Sequence, residues 1–213
     1  MKLRTIALVL TVALASAAAA HAQSGAYLMF DTQQFTQKGV FVNPGIHGNV
    51  DRPWLFGATY GIYYDVTHLP HVGKLKTGPV LVGIDARGDV LRDDIYGSQI
   101  DREDGIFSLR VSTKRPYKYS YGSIPYVQGG FGIGHTRNPF RSYYNNNFIY
   151  QVSLGIDHPL HGRFKKFDWR VLEASAGSLN NYPTGYFTLN GGLGQNQSNY
   201  LITLSTGLVF RIH

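Results

Sequence analysis

Asp85 and Arg87 stand two apart in the chain, and Arg110, Gln128, Gln151, Arg170 and Glu173 follow at wider spacing. In an extended chain, residues two apart share a face. Carboxylates and guanidiniums collected on inward faces can form ion pairs, or they can do general acid–base work on a bound substrate. Away from bulk water every such group must find a partner, so an internal ion-pair network is the expectation and catalysis by the carboxylates the competing one. Arg170 and Glu173 are three apart, which puts them on opposite faces of a regular strand. Either a bulge intervenes there, or Glu173 lies near a rim.

Nucleophilic chemistry needs a hydroxyl or thiol within reach of a base. The chain has no Cys, and its eight His never occur as His-x-Ser, the spacing that would place base and nucleophile on one strand face. His68 with His71, and His158 with His161, have spacing that could hold a metal. Without an acidic or third His partner either pair is a weak metal signal, so no metal and no cofactor is expected.

The elements that must position these residues read as strands. Asn199–His213 alternates Tyr200, Ile202, Leu204, Thr206, Leu208, Phe210 and Ile212 with Leu201, Thr203, Ser205, Gly207, Val209 and Arg211. Period-two patterning of this length exceeds the usual soluble strand and matches the roughly 9–11 residues with which a tilted strand crosses a bilayer. Seven more segments are expected as strands: Ala26–Phe30, Trp54–Val66, Pro79–Gly88, Gly105–Thr113, Ile124–Gly134, Asn147–Asp157 and Phe167–Gly177. The fold class that follows is all-β, an eight-stranded antiparallel up-and-down transmembrane β-barrel.

Inward faces of these strands carry Gly57, Gly61, Gly83, Gly130, Gly132, Gly155 and Gly207. An eight-stranded barrel has an interior just wide enough for side chains, and small residues there make room for large polar ones. Trp54, Tyr64, Phe148, Trp169, Tyr200 and Phe210 fall near strand ends, as interfacial girdles do. A soluble lipocalin-like barrel, the alternative fold, would turn the apolar faces inward.

Residues 1–22 read as a cleaved signal peptide: Lys2 and Arg4, an apolar run Ile6–Leu14, then Ala20-His21-Ala22 before Gln23. Residues 23–213 form one barrel domain. Longer connections (Gln33–Arg52, Asp89–Asp104, His135–Asn146, Ser178–Ser198) alternate with shorter ones (Thr67–Thr77, Lys114–Gly122, His158–Phe164). Long loops lie outside and short turns in the periplasm in such barrels, which puts both termini in the periplasm. The short set carries Lys74, Lys76, Lys114, Arg115, Lys118, Arg163, Lys165 and Lys166, an expected ring of positive charge toward anionic head groups. With 20 Lys and Arg against 13 Asp and Glu the chain is only mildly basic, and no basic helix or aromatic-basic platform suggests nucleic acid.

Several stretches together resemble small bacterial outer-membrane β-barrel proteins of the OmpA/OmpX-like kind. They are Gly61-Ile62-Tyr63-Tyr64-Asp65, Gly83-Ile84-Asp85-Ala86-Arg87-Gly88 and Pro125-Tyr126-Val127-Gln128-Gly129. Tyr150-Gln151 with Gly155-Ile156-Asp157, Asp168-Trp169-Arg170-Val171-Leu172-Glu173 and Thr203-Leu204-Ser205-Thr206-Gly207-Leu208 complete the set. The resemblance implies a Gram-negative outer-membrane location and insertion by the machinery that reads the last strand. Such barrels usually end in an aromatic residue, whereas this chain ends Phe210-Arg211-Ile212-His213. It implies no assigned chemistry. Small barrels of this size include a lipid A deacylase with a His-x-Ser pair and a palmitoyl transferase with an apolar interior. This chain has neither feature in its sequence, so no enzymatic activity is expected. A structural barrel is expected, with Arg137, Arg141, Tyr143, Tyr144, Tyr182 and Tyr186 available for contacts with an unidentified extracellular ligand. A narrow pore is a sub-case that the internal charges oppose.

Overall fold

The structure, a computed structural model, describes residues 23–35, 54–69, 80–93, 100–113, 122–138, 143–182 and 197–212. Residues 1–22, read as a signal peptide, lie outside them. Eight strands run through these segments: β1 (Ser24–Phe35), β2 (Trp54–Leu69), β3 (Val80–Asp93), β4 (Ile100–Thr113), β5 (Ile124–Asn138), β6 (Tyr143–Pro159), β7 (Phe167–Tyr182) and β8 (Gln197–Arg211). Each pairs antiparallel with its sequence neighbours, and β8 returns to β1, so the sheet is a closed up-and-down barrel. Closure leaves no edge strand with unpaired backbone groups.

The register fixes the tilt. Stepping across paired residues from Gly25 through Tyr63, Asp85, Ser108, Gly130, Gln151, Gly177 and Leu201 returns to β1 at Phe35, a stagger of ten residues (25 to 35). Such a shear requires strands strongly inclined to the barrel axis. Each strand therefore needs more residues to cover a given height.

Alternation decides which way the side chains point. On β6, Tyr150, Val152, Leu154 and Ile156 face outward and are exposed, while Ser153, Gly155 and Asp157 are buried. On β4 the exposed set is Phe107, Leu109 and Val111, and the buried set Ile106, Ser108, Arg110 and Ser112. The apolar faces thus lie on the outer wall and most polar ones inside, the reverse of a soluble barrel. Leu154 at 60 % and Ile133 at 63 % exposure belong in hydrocarbon, not water.

The strands, 12 to 17 residues long, outrun the sequence-based expectation. The stretches expected as long loops are partly paired sheet, with Asp93 opposite Ile100, Asn138 opposite Tyr143 and Tyr182 opposite Gln197. Backbone pairing needs no apolar side chain. Polar residues beyond the apolar belt keep the ladder while losing the hydrophobic alternation that reveals it in sequence. At one such place an exposed Arg92–Asp101 ion pair of 2.7 Å bridges β3 and β4.

Strand β7 contains a bulge, one of the two arrangements that the Arg170/Glu173 spacing allows. Arg170 pairs with Gly207 and Glu173 with Ser205, so Val171 and Leu172 together oppose Thr206. Both residues face outward and are exposed, and the one extra residue returns Arg170 and Glu173 to the interior. The Thr206 hydroxyl donates to the Arg170 carbonyl at 3.0 Å and accepts from the Trp169 indole at 3.2 Å. A polar residue on an apolar wall is there explained: it occupies a backbone carbonyl at the bulge.

Candidate functional site in the barrel interior and at the termini end

The polar interior is built around tyrosines that lie over glycines on the neighbouring strand. Tyr27 is paired with Gly61, Tyr63 with Gly25, and Tyr126 with Gly155. A Cβ added at any of these glycines would collide with the opposing ring. Absence of a side chain on one strand is thus filled by an aromatic from the next. The rings in turn clamp guanidiniums. Arg110 lies 4.3 Å from the Tyr63 centroid and 3.7 Å from that of Tyr126. Arg170 lies 4.5 Å from Tyr27 and 4.6 Å from Tyr126. Desolvated cation–π contacts of this kind are worth about 2 kcal/mol.

Carboxylates complete the arrangement. Arg170 donates to Asp157 through Nε at 2.7 Å and Nη2 at 3.2 Å, a two-pronged contact, and to Glu173 through Nη1 at 3.3 Å. Arg110 shares Asp157, at 3.1 Å. Arg87 reaches Glu173 at 2.6 Å and Asp85 at 3.3 Å. The Tyr27 hydroxyl lies 2.9 Å from both oxygens of Asp85, and the Tyr126 hydroxyl donates to Glu173. Glu173 therefore joins residues from three strands besides its own surroundings on β7: Arg87, Tyr126 and, through Arg170, Tyr27.

A second polar group lies toward the end opposite the termini. The Thr59 hydroxyl contacts Asp31 and, at 2.6 Å, Asp89. Arg102 binds Asp104 and Gln33, and Gln33 donates to Thr203 at 2.8 Å. Around it sits an apolar cluster inside the barrel, Leu55, Leu91, Ile106, Ile149, Leu179 and Leu201, contributed by six strands.

Of the residues singled out in the sequence, Asp85, Arg87, Arg110, Gln128, Arg170 and Glu173 are buried inside and Gln151 is half-buried there. All but Gln128 and Gln151 join the ion-pair network; Gln151 donates to Ser153 at 3.4 Å. Asp157, Tyr27, Tyr63 and Tyr126 join it too, without having been singled out. The inward parity of Asp157, Tyr63 and Tyr126 is legible, but a tyrosine in a barrel strand reads first as an interfacial ring. Asp89, Arg102 and Asp104 escape sequence reasoning because their segment reads as loop. The interior leucines carry no signal that separates them from outward ones.

Arg137, Tyr143, Tyr144 and Tyr182, expected in loops, have their backbones in paired strands at the end opposite the termini, Arg137 directly across from Tyr144. Their ladder continues past the apolar belt for the reason given above. Arg141 and Tyr186 lie outside the described residues, as do His71, Lys74, Lys76, Lys114, Arg115 and Lys118.

At the termini end the structure brings together a pair that sequence spacing does not show. Ser123 Oγ is 3.0 Å from His158 Nδ1, between the start of β5 and the end of β6. The His161 ring lies 6.5 Å from that of His158. Among the described residues no carboxylate contacts His158. No group of three or more metal-ligating side chains occurs among the described residues.

No protein-family model matches the chain, and no curated protein does. Solved structures similar to it include Neisserial surface protein A, at 9 % identity over 87 % of this chain and 96 % of that one, TM-score 0.46. Ail, the attachment invasion locus protein of Yersinia pestis, is similar at 10 % identity over 91 % and 100 %, TM-score 0.45. A major outer membrane protein from Thermus thermophilus is similar at 13 % identity over 88 % and 99 %, TM-score 0.37. The fold assignment rests on the strand pairing itself.

Proposed function

We propose that this chain is an integral protein of a bacterial outer membrane, a structural barrel that presents its longer connections to the exterior and carries no enzymatic activity. One observation carries the reading. The apolar faces of all eight strands are turned outward, while the buried arginines inside, Arg87, Arg102, Arg110 and Arg170, each pair with a carboxylate. Only hydrocarbon around the wall makes such an exterior stable. Lipids of the outer membrane are then its first partners, and β8 is the segment that the insertion machinery would read.

Within this reading both termini lie in the periplasm and the connections β1–β2, β3–β4, β5–β6 and β7–β8 lie outside. The interior supports a sealed barrel. Buried ion pairs across the interior, with the leucine cluster nearer the outer connections, favour that reading over a pore. Surface binding would fall to the outer connections and to the strand ends that bear Arg137, Tyr143, Tyr144 and Tyr182.

The test is gel migration of the protein from purified outer membranes, unboiled against boiled, together with planar-bilayer conductance of the refolded protein. A heat-dependent shift with no unitary conductance is expected. Recovery in periplasmic extract without a shift would overturn the membrane location, and stable conductance steps would overturn the sealed interior.

A further inference from the structure

The β6–β7 connection is described throughout, and it is unusually well anchored for a turn. Gly162, with φ of 67°, takes the left-handed conformation that other residues avoid, and lets the chain reverse into a 3₁₀ turn over Gly162–Phe164. The Leu160 amide donates to the Phe167 carbonyl at 3.0 Å, and the Arg211 amide donates to the Lys166 carbonyl at 2.8 Å. The Arg211 guanidinium donates to the Lys165 carbonyl and pairs with Asp168 at 3.3 Å. The turn is thus tied to the last strand as well as to its own two.

Its side chains make little use of that anchoring. Residues 161–166 are all exposed, and Phe164 is 61 % exposed. Arg163, Lys165 and Lys166 flank that ring, and no Asp or Glu occurs between Asp157 and Asp168. Both of those acids are buried and engaged, Asp157 by Arg110 and Arg170, Asp168 by Arg211. From Phe164 an aromatic ridge leads up the outer wall: its ring is 6.4 Å from Phe167, and Phe167 is 5.3 Å from Phe210. Phe210 and Trp169 are 41 % and 46 % exposed on that wall.

A well-anchored turn whose three cations have no carboxylate partner among the described residues, beside an exposed aromatic continuous with a lipid-facing belt, is complementary to an anionic interface. We propose that the β6–β7 turn binds the phosphate head group of an anionic phospholipid in the leaflet at the termini end. Arg163, Lys165 and Lys166 hold the phosphate, and Phe164 enters the boundary between head groups and acyl chains. The inference rests on the membrane reading above and assigns that leaflet its lipid class.

The mature protein refolded into phosphatidylcholine vesicles, with and without phosphatidylglycerol, and then examined by native mass spectrometry for retained lipid, tests this. Wild type is expected to retain phosphatidylglycerol over phosphatidylcholine, and R163Q/K165Q/K166Q to lose about tenfold or more of that preference. K165R/K166R keeps it, and F164Q weakens retention without removing the charge preference. Equal retention of the two lipids by wild type, or an unchanged preference in the triple variant, overturns the site. Failure of the wild type to insert into either vesicle would instead overturn the membrane reading on which it stands. A heat-dependent gel shift in each variant shows that the barrel has formed.

Discussion

Replacing Glu173 with Gln keeps the size of the side chain and removes the charge on which two arginines converge. Glu173 accepts from Arg87 at 2.6 Å, from Arg170 at 3.3 Å, from Ser175 at 3.4 Å and from Tyr126. Removing one member of a buried ion pair typically destabilises by about 3–5 kcal/mol, because the other charge is left uncompensated. Here each arginine retains a second carboxylate, Asp85 for Arg87 and Asp157 for Arg170. The loss should therefore fall at the lower end, about 3 kcal/mol. Equilibrium urea unfolding in lipid vesicles, followed by the fluorescence of the two tryptophans, measures it. The R87Q/E173Q double variant should lose less than the sum of the single ones, by about 1–3 kcal/mol. Glu103→Gln, on the exposed face of β4, is the control and should change stability by no more than about 0.5 kcal/mol. If Glu173→Gln matches that control, the interior charges do not act as a network.

Glycine substitutions should separate close-packed positions from open ones. A Cβ at Gly132 would lie 2.0 Å from the Gly105 carbonyl oxygen, whereas one at Gly129 would meet nothing within 4 Å. Gly132→Ala is expected to destabilise by about 1–3 kcal/mol, and Gly129→Ala to be neutral or slightly stabilising in the same unfolding assay. Thr206→Val removes the hydroxyl that holds the bulge carbonyl of Arg170 and the Trp169 indole. It should cost about 1–2 kcal/mol and alter the Trp169 emission, while Thr203→Val, whose hydroxyl meets Gln33 and not the Trp169 indole, leaves that emission unchanged.

Strand identity and facing were legible because burial in this fold follows a period of two outside its bulges. Tyr200 through Phe210 shows it, with each outward residue apolar or, at Thr206, explained by the bulge. The spacing of Arg170 and Glu173 narrowed β7 to a bulge or a rim position for Glu173, since two charges three apart cannot both face inward on a regular strand. Strand ends were not legible. Pairing of Asp89–Asp93 with Ile100–Asp104 is held by backbone bonds and the Arg92–Asp101 contact, none of which leaves a hydrophobic pattern. The same misreading hid Arg102, Asp104 and Asp89 from the interior network. The apolar cluster of Leu55, Leu91 and Leu201 was hidden for another reason. A barrel wall is apolar outside everywhere and apolar inside only locally, and a leucine of either parity looks alike in sequence. Contacts such as Ser123 with His158 come from chain reversal between strands, beyond the reach of spacing rules.

The central claim is that hydrocarbon surrounds the wall and that the interior is closed to it. The chain contains no Cys, so single cysteines can be introduced along β6 at Val152, Ser153, Leu154 and Gly155 without removing native ones. Spin labels attached there, in the protein refolded into vesicles, report collision with dissolved oxygen or with a water-soluble nickel complex. Oxygen-dominated accessibility is expected at Val152 and Leu154, and low accessibility to either reagent at Ser153, with Gly155 tolerating no label because Tyr126 fills its space. Nickel-dominated accessibility at Val152 and Leu154, or high accessibility to the nickel complex at Ser153, would contradict the claim.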